Sequence, residues 1–412
     1  MLSEKEKLDS LTHLGIELNQ ISDLDILMEH VLTRARQFAN ADAGSIYISQ
    51  GTWLHFSYTQ NETLQQQLPK GEKLIYSTFK IPIDEKSLAG YAALTGRPLN
   101  IDDVYNLDPT LPYSFHKDFD EKVGYRTSSI LTIPLRNSGG NILGILQIIN
   151  ARKINGQITA FSKSDERIMH HFASVAAVAL ERAQMTRALI LRMISMAEMR
   201  DPRETGSHVN RVAGFAVELY EEWALRRKLE QKIIDKTRDT LRMAAMLHDV
   251  GKVATSDLIL RKPARLSADE YEIMKEHTVY GARLFLNKQS DFDEAAAIVA
   301  LNHHEHWDGT GYPGHVDFRT GRPLNGYILP DGRPRGKKAT EIPIFGRIVA
   351  LADVFDALSS KRIYKEPWDD REILSQIEKS AGSHFDPELV EIFFSRYEVL
   401  RSIRKRYREE ED

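Results

Sequence analysis

Two short segments of the chain concentrate residue types that bind metal ions. His303 and His304 are adjacent at the start of HHEHWDGTGYPG, and His248 and Asp249 are adjacent in LHDVGK. First-row divalent cations bind imidazole and carboxylate groups together, so repeated His and Asp pairs are typical of a site that holds more than one ion. The pattern indicates a metal-dependent hydrolase.

The other candidate ligands lie in the same half of the chain. They are Glu204 and His208 in ETGSH, His277 in MKEH and Asp353 in ALADVFDAL. We expect Glu204 in a turn and His208 at the start of the next helix, with both side chains able to point the same way. Asp353 and Asp356 share one helical face, so their spacing alone does not choose between them.

The composition is that of a folded protein with two or three domains. The chain has 412 residues, of which 42% are hydrophobic and 28% are charged. Cysteine is absent, which leaves only His, Asp and Glu as metal ligands. A net charge of -4 gives no reason to expect a nucleic-acid polymer as partner. Without a signal core or an apolar span, we expect a cytoplasmic protein with no membrane contact.

The first part of the chain alternates between apolar and polar residues in the manner of β-strands. WLHFSYT, SSILTIPLRN and ILGILQIIN are the clearest runs, and residues 138–141 (SGGN) are placed as a hairpin turn between the last two. Short amphipathic segments surround these runs. The pattern predicts an α+β domain in which an antiparallel sheet has flanking helices.

The hydrophobic period changes to that of an α-helix after Ser162, which with Asp165 is expected to cap the helix. The apolar stripe includes Phe172 and continues to Met196, which predicts one connecting helix over residues 163–202. A helix this long cannot bury its stripe on one small domain, so we predict a parallel dimer seam. The alternative is a core helix with an extended tail. Residues 203–412 are predicted to form an all-α bundle without strands.

The second half resembles the HD-GYP family, the branch of the HD superfamily of metal phosphohydrolases that degrades cyclic di-GMP. LHDVGK at 247–252 is similar to the HD signature, and HHEHWDGTGYP at 303–313 fits HHExxDGxGYP. ADVFDALSSKRIYK at 352–365 matches the region that carries the last metal carboxylate. The resemblance implies a catalytic domain over residues 190–412. Ala264 stands where glycine is usual in the family.

The resemblance implies a complete set of metal ligands. They are His208, His248, Asp249, His277, His303, His304 and Asp353. Asp249 is the expected bridge, because a carboxylate can offer one oxygen to each of two metals. Glu204 corresponds to the ligand of a third metal in some members, and its alternative is a solvated turn residue. The implied cofactors are two or three divalent ions, iron or manganese. His306 is expected at the surface or in a groove, and Asp356 is expected to be structural.

The activity that the resemblance implies is hydrolysis of cyclic di-GMP to pGpG, and onward to GMP, by metal-activated water. Asp249 and Lys252 are the expected catalytic residues. The expected substrate-binding residues are Lys252, Gly311, Tyr312, Pro313, Arg362 and Lys365. Tyr312 is expected to stack on a guanine or orient a phosphate, unless it only packs. The alternatives are an enzyme that prefers another cyclic dinucleotide, such as cyclic GMP-AMP, and a weakly catalytic receptor that signals through protein partners.

Residues 1–182 resemble a GAF sensory domain. Asn150, Phe161, Asp165 and Glu166 partly match the NKFDE pattern of cyclic-nucleotide-binding members, although Ala151 replaces its lysine. The resemblance implies either a small-molecule ligand that regulates the enzyme or a pure dimerisation module. The expected assembly is a homodimer formed through the GAF domain and the connecting helix.

The chain departs from the HD-GYP pattern between Gly314 and Glu341, where the link after GYP is longer than usual. This insert carries several Arg and Lys residues and the turn signals TG and DG. We predict that it folds over a dianionic substrate as a lid, with Tyr327 available for base stacking. The alternatives are a solvated surface loop and an oligomer contact.

Overall fold

The computed structural model describes residues 13–68, 79–198, 206–359 and 368–407. The chain divides into two compact units, Met1–Arg187 and Ala188–Asp412. No helix in the described ranges is long and apolar enough to cross a membrane. Three predicted site residues, Glu204, Arg362 and Lys365, lie outside the described residues.

Within the described residues, the first unit is built on a seven-stranded antiparallel sheet. Its strands are β1 (Ala41–Gln50), β2 (Trp53–Asn61), β3 (Lys80–Pro82), β4 (Leu99–Ile101), β5 (Ile130–Arg136), β6 (Ile142–Arg152) and β7 (Ile158–Thr159). The order is β3-β2-β1-β6-β5-β4, and β7 pairs with β6. The predicted turn between β5 and β6 is confirmed, since the amide of Asn137 donates to the carbonyl of Asn141 at 3.0 Å.

Helices flank this sheet, as predicted for an α+β domain. Residues 13–19 are helical. The helices that follow are α1 (Leu24–Ala39), α2 (Glu62–Gln66), α3 (Leu88–Thr95) and α4 (Asp118–Val123), with a 3-10 turn at Val104–Asn106. Asp23 begins α1 by accepting hydrogen bonds from the amides of Asp25 and Ile26. The apolar face of α1 is buried against β1 and β2, which closes one side of the core.

Residues that match the NKFDE pattern form hydrogen bonds within this unit. The Asn150 side chain accepts from the amide of Ser128 at 2.7 Å and donates to the carbonyl of Arg126 at 2.8 Å. Glu166 accepts from the side chain of Asn100 at 3.0 Å. These hydrogen bonds hold strand ends and the following helix together, which gives the matching residues a structural role.

The connecting helix α5 (Lys163–Glu198) is continuous, which confirms the predicted helix as far as the described residues extend. Ser162 and Asp165 exchange hydrogen bonds between side chain and amide at its start, as the sequence predicts. Phe172 is fully buried in the first unit. Further along the helix, Val178, Met185, Leu189, Met193 and Met196 are exposed.

The second unit is a helical bundle, as predicted. Its helices are α6 (Gly206–Arg226), α7 (Gln231–Met246), α8 (Asp257–Leu260), α9 (Ala268–Lys275), α10 (His277–Arg283), α11 (Asp291–Asn302), α12 (Ile344–Ser359), α13 (Asp370–Lys379), α14 (Pro387–Ser395) and α15 (Tyr397–Arg406). Two 3-10 turns, Val250–Ala254 and Ala339–Glu341, connect them. Buried side chains such as Phe215, Leu241 and Phe355 form the core between α6, α7 and α12.

Two glycines permit the close approaches that bring ligand-bearing segments together. A Cβ added to Gly251 would lie 1.9 Å from the carbonyl oxygen of His277, so only glycine lets the turn after Asp249 contact α10. A Cβ at Gly346 would lie 2.6 Å from the Cβ of Asn302, so glycine also sets the distance between α12 and the end of α11.

The insert is ordered, and its strands correct the prediction that residues 203–412 contain none. β8 (Val316–Asp317) and β9 (Arg322–Pro323) form a short antiparallel hairpin around the predicted Thr320-Gly321 turn. Each strand has only two residues, too few for the alternation by which strands are recognised in a sequence.

Tyr327 in the insert is already engaged by neighbouring side chains. Its ring stacks on His315 at a centroid separation of 3.8 Å, and the Arg335 guanidinium lies 5.0 Å from the ring centroid. Base stacking by Tyr327 would have to replace one of these neighbours, and it stays a prediction. The hairpin register brings these partners together, and residue spacing alone does not reveal it. A lid role for the insert stays a prediction.

Candidate metal centre

The seven predicted ligands that the structure describes come from five segments of the bundle. His208 lies in the first turn of α6, and Asp353 lies in α12. His248 and Asp249 directly follow α7, His277 begins α10, and His303 and His304 follow α11. Each histidine lies at or next to a helix end, whereas Asp353 lies within a helix. The five segments bring these side chains close together in the second unit.

The ligand atoms form two groups. Asp249, His277, His303 and His304 each offer an atom within 4.8 Å of the others. His208, His248 and Asp353 do the same in the second group, also within 4.8 Å.

Asp249 faces both groups with different oxygens. Its Oδ1 lies 3.1 Å from His277 Nε2 and 3.5 Å from His303 Nε2. Its Oδ2 lies 3.3 Å from His248 Nε2, in the other group. This is the placement that a bridging carboxylate requires.

The histidine rings are oriented by main-chain carbonyls behind them. His277 Nδ1 lies 2.7 Å from Met274 O, His248 Nδ1 lies 2.8 Å from Ala245 O, and His303 Nδ1 lies 3.1 Å from Ala300 O. A carbonyl only accepts, so each Nδ1 carries the proton and each Nε2 lone pair points into the site in the neutral ring.

This arrangement fits bound cations. His277 Nε2 and His303 Nε2 lie 3.5 Å apart and both rings are buried, so two lone pairs face each other with no proton assigned between them. Burial lowers the pKa of His303, although Asp249 acts to raise it. The low pKa disfavours an extra proton between the two Nε2 atoms. Imidazole nitrogens and carboxylate oxygens are ligands that iron, manganese and zinc all accept.

Comparison with known proteins agrees with the two units. A GAF domain model matches residues 23–180, and two HD domain models match residues 205–358 and 330–389. The first unit is therefore similar to GAF domains and the second unit to HD domains. Both resemblances that the sequence indicated, to GAF domains and to the HD superfamily, are confirmed.

The HD domain half also has curated relatives. It is 36% identical over 221 residues to a "3'3'-cGAMP-specific phosphodiesterase 2" of Vibrio cholerae, covering 54% of this chain and 37% of the relative. It is 37% identical over 222 residues to a "Cyclic di-GMP phosphodiesterase" of Thermotoga maritima, covering 54% and 52%. A "Probable cyclic di-GMP phosphodiesterase" of V. cholerae is 35% identical over 238 residues, covering 56% and 49%. The matches therefore span about half or less of these relatives.

Lys252 contacts the bridging position in the HD domain. Its Nζ lies 2.7 Å from Asp249 Oδ2, and its side chain remains 20% exposed. Burial acts to raise the pKa of Asp249, but Lys252 and His248 outweigh it and hold that pKa well below its usual range. This low pKa keeps the Asp249 carboxylate in its charged form.

The GYP loop folds back on the paired histidines. The Tyr312 amide donates to His304 O at 3.1 Å, and its ring stacks on His304 at a centroid separation of 4.8 Å. A Cβ at Gly311 would lie 2.2 Å from the amide nitrogen of His306, so this approach requires glycine. Pro313 follows through a cis peptide bond and is partly buried. Tyr312 thus packs on a ligand, and a substrate contact for it stays a prediction.

Asp356 supports the second group of ligands, a role that sequence spacing did not reveal. Its Oδ2 lies 2.8 Å from His208 Nδ1, and Arg211 holds the carboxylate through Nε at 2.6 Å and a second nitrogen at 3.0 Å. Burial acts to raise the pKa of Asp356, but His208 and Arg211 lower it overall. Asp356 was predicted to be structural, and its contact with His208 shows how: the carboxylate orients a candidate ligand. The buried, bidentate Arg211 was missed because nothing marks it in the sequence.

His306 and Glu305 complete the neighbourhood without joining either group. His306 is half-buried and packs on His384 at a ring separation of 4.0 Å, close to the predicted groove position. Glu305 is fully buried and accepts from the amides of Gly314 at 2.7 Å and Lys337 at 3.2 Å. One carboxylate therefore ties both ends of the insert to the segment that carries His303 and His304.

We expect Asp356→Asn to weaken metal binding at His208 while leaving the Asp249 group loaded, because the ring loses its charged partner. Loss of such a partner typically lowers metal affinity by about 10- to 100-fold. Metal titration with elemental analysis measures this effect. Asp386→Asn is a matched control, since Asp386 is also buried and pairs with Arg347 at 2.6 Å away from the ligands. Identical titrations of the two variants would contradict the orienting role.

Proposed function

We propose that this chain is a metal-dependent phosphodiesterase that hydrolyses cyclic di-GMP to pGpG and onward to GMP. The observation that carries the proposal is the pair of ligand groups that share Asp249. A site with two adjacent cations suits phosphodiester hydrolysis, since both the attacking and the leaving oxygen carry charge. The curated names of relatives that match the HD domain support the same substrate class.

Divalent ions in this site would supply an activated water and neutralise charge on the phosphoryl oxygens. His208, His248, Asp249, His277, His303, His304 and Asp353 are the residues proposed to hold them. We propose iron or manganese. Glu204 is the proposed ligand of a third ion, which would help hold the terminal phosphate of pGpG.

The cationic side chains of this chain are proposed to bind the phosphates of the substrate. We propose that Lys252, held beside Asp249 yet partly exposed, donates a hydrogen bond to a phosphate oxygen or to the leaving oxygen. Arg362 and Lys365 are proposed to bind the second phosphate, for which a guanidinium offers bidentate contacts. The GYP loop, residues 311–313, is proposed to border the substrate beside His304.

A second candidate substrate is 3'3'-cyclic GMP-AMP. The relative named for that substrate is 36% identical and one named for cyclic di-GMP is 37% identical, so identity does not separate the two. The third reading is a weakly catalytic receptor that signals through partners. The complete ligand set among the described residues favours an enzyme over this receptor.

The function is tested by product chromatography with protein loaded with iron or manganese. Cyclic di-GMP and 3'3'-cyclic GMP-AMP are supplied separately, and we expect linear dinucleotide to appear before mononucleotide. Protein with full metal content that leaves both substrates intact would contradict the enzyme and favour the receptor.

We expect Asp249→Asn to abolish turnover while the helical content stays that of the wild type, because the bridging charge is lost. Circular dichroism, metal analysis and the same chromatography measure the three quantities. Asp291→Asn is the control, since Asp291 is exposed and pairs with the surface residue Lys236 at 2.6 Å. Near wild-type hydrolysis by Asp249→Asn with full metal loading would refute the bridging role.

We also propose that the chain forms a homodimer through the GAF domain and α5, and that a small molecule bound to the GAF domain regulates hydrolysis. The exposed apolar residues of α5 support the dimer, because Val178, Met185, Leu189 and Met196 are separated by seven, four and seven residues. Separations of this kind place side chains along one seam of a coiled coil.

The dimer should separate when charge is placed on that seam. We expect wild-type protein to have twice the chain mass of 47.0 kDa in solution, and the double variant Met185→Glu with Leu189→Glu to be largely monomeric. Light scattering after gel filtration measures both masses. Ile233→Glu, at an exposed apolar residue of α7 outside this helix, serves as the control and should remain dimeric. Unchanged dimerisation of the double variant would place the interface elsewhere.

A further inference from the structure

Three aromatic rings lead from the metal centre to the surface. His304 is a candidate ligand, Tyr312 stacks on it, and Tyr271 meets Tyr312 edge to face at a centroid separation of 6.3 Å. Tyr271 lies on α9 and is 46% exposed. The exposed ring of Tyr271 is thus separated from a candidate ligand by the single ring of Tyr312.

The helix that carries Tyr271 is not held by core packing. No residue of α9 is buried, and the helix begins with a capping box between Ser267 and Glu270. Lys262 adds an ion pair to Glu270 at 2.6 Å. Polar contacts at its first turn therefore position α9, and the exposed ring of Tyr271 makes no contribution to a buried core.

Lys275 places a positive charge beside this ring. Its Nζ lies 4.9 Å from the centroid of Tyr271 and 5.5 Å from that of Tyr312. Lys275 and Tyr271 are four residues apart and so share one face of α9. The acidic partner of Lys275 is Glu272 at 2.6 Å, and Glu272 is 59% exposed, so this pair is a weak surface contact that a ligand can replace.

We propose that Tyr271 and Lys275 form a binding site for one purine base of the substrate and that this site prefers guanine. The inference rests on the proposed function. A phosphodiester held at the candidate ligands carries its nucleoside into the adjacent space, and the exposed ring of Tyr271 offers a face for stacking. Stacking accepts any base, so the preference comes from the lysine.

The chemistry of the two purines decides that preference. Guanine presents two hydrogen-bond acceptors, O6 and N7, on the edge where adenine presents one acceptor and the N6 donor. The flexible Lys275 side chain leaves the ring face when a base stacks there. Its ammonium only donates, so it then pairs with both guanine acceptors and opposes the adenine amino group. Cyclic di-GMP and 3'3'-cyclic GMP-AMP each contain a guanine and both can use the site. Cyclic di-AMP contains none and should be a poor substrate.

The stacking part is tested with Tyr271→Ala and Tyr271→Phe in full-length, manganese-loaded protein. We expect Tyr271→Ala to raise the KM for cyclic di-GMP about tenfold with kcat and metal content nearly unchanged. Tyr271→Phe keeps the ring and should restore most of the lost affinity. An unchanged KM in Tyr271→Ala, in protein whose wild type is active, overturns the base site and leaves the proposed function intact.

The guanine preference is tested by equilibrium binding of GMP and AMP, which needs no turnover. We expect wild-type protein to bind GMP several-fold more tightly than AMP and Lys275→Met to lose most of that difference. Lys288→Met is the matched control, because Lys288 is an exposed lysine of the same unit paired with Glu294. Equal binding of GMP and AMP by the wild type overturns the preference. A preference for GMP without hydrolysis of any cyclic dinucleotide supports the base site and contradicts the proposed function alone.

Discussion

One buried carboxylate sets the requirements for the rest of the candidate metal centre. Burial of Asp249 opposes its charge, yet Lys252 and the neighbouring imidazoles hold its pKa well below the usual range. An anion in this position needs compensating positive charge, since an uncompensated buried charge costs several kcal/mol. The described residues supply one ammonium directly, and the inward-facing histidine nitrogens supply the ligands for metal ions. Metal ions bound by the two ligand groups would provide this positive charge on either side of Asp249.

The bundle meets the requirement through helix ends and close packing. His248, His277 and His303 lie where helical carbonyls can accept from Nδ1, so the main chain itself selects the tautomer that turns Nε2 inward. Gly251 and Gly346 remove the side chains that would keep these segments apart. On the opposite side, Arg211 holds Asp356 and Asp356 holds His208, so this ligand has a charged partner.

Much of the candidate site could be predicted from the sequence because its ligands lie in short motifs. Adjacent pairs such as His248-Asp249 and His303-His304 must share a location whatever the rest of the fold is. The choice between Asp353 and Asp356 was not available from spacing, since residues three apart on a helix point to similar regions. The structure separates them, with Asp353 near the histidine nitrogens and Asp356 behind His208.

Contacts between distant segments were the least predictable. The antiparallel sheet and the connecting helix α5 were visible as hydrophobic periods, which are local properties of a sequence. The packing of Tyr327 on His315 and the hold of Glu305 on both ends of the insert depend on hairpin register and burial. A basic, glycine-rich segment resembles a mobile loop in the sequence, whereas the structure shows hairpins tied to the segment of His303 and His304.

We propose that Asp249 joins two metal ions held by the two ligand groups. Anomalous diffraction from manganese-loaded crystals locates the ions and their ligands directly. We expect two peaks about 3.5 to 4 Å apart, each within coordination distance of one Asp249 oxygen, with His277 and His303 on one ion and His208 and His248 on the other. A single ion, or two ions that leave Asp249 bonded only to Lys252, would contradict it.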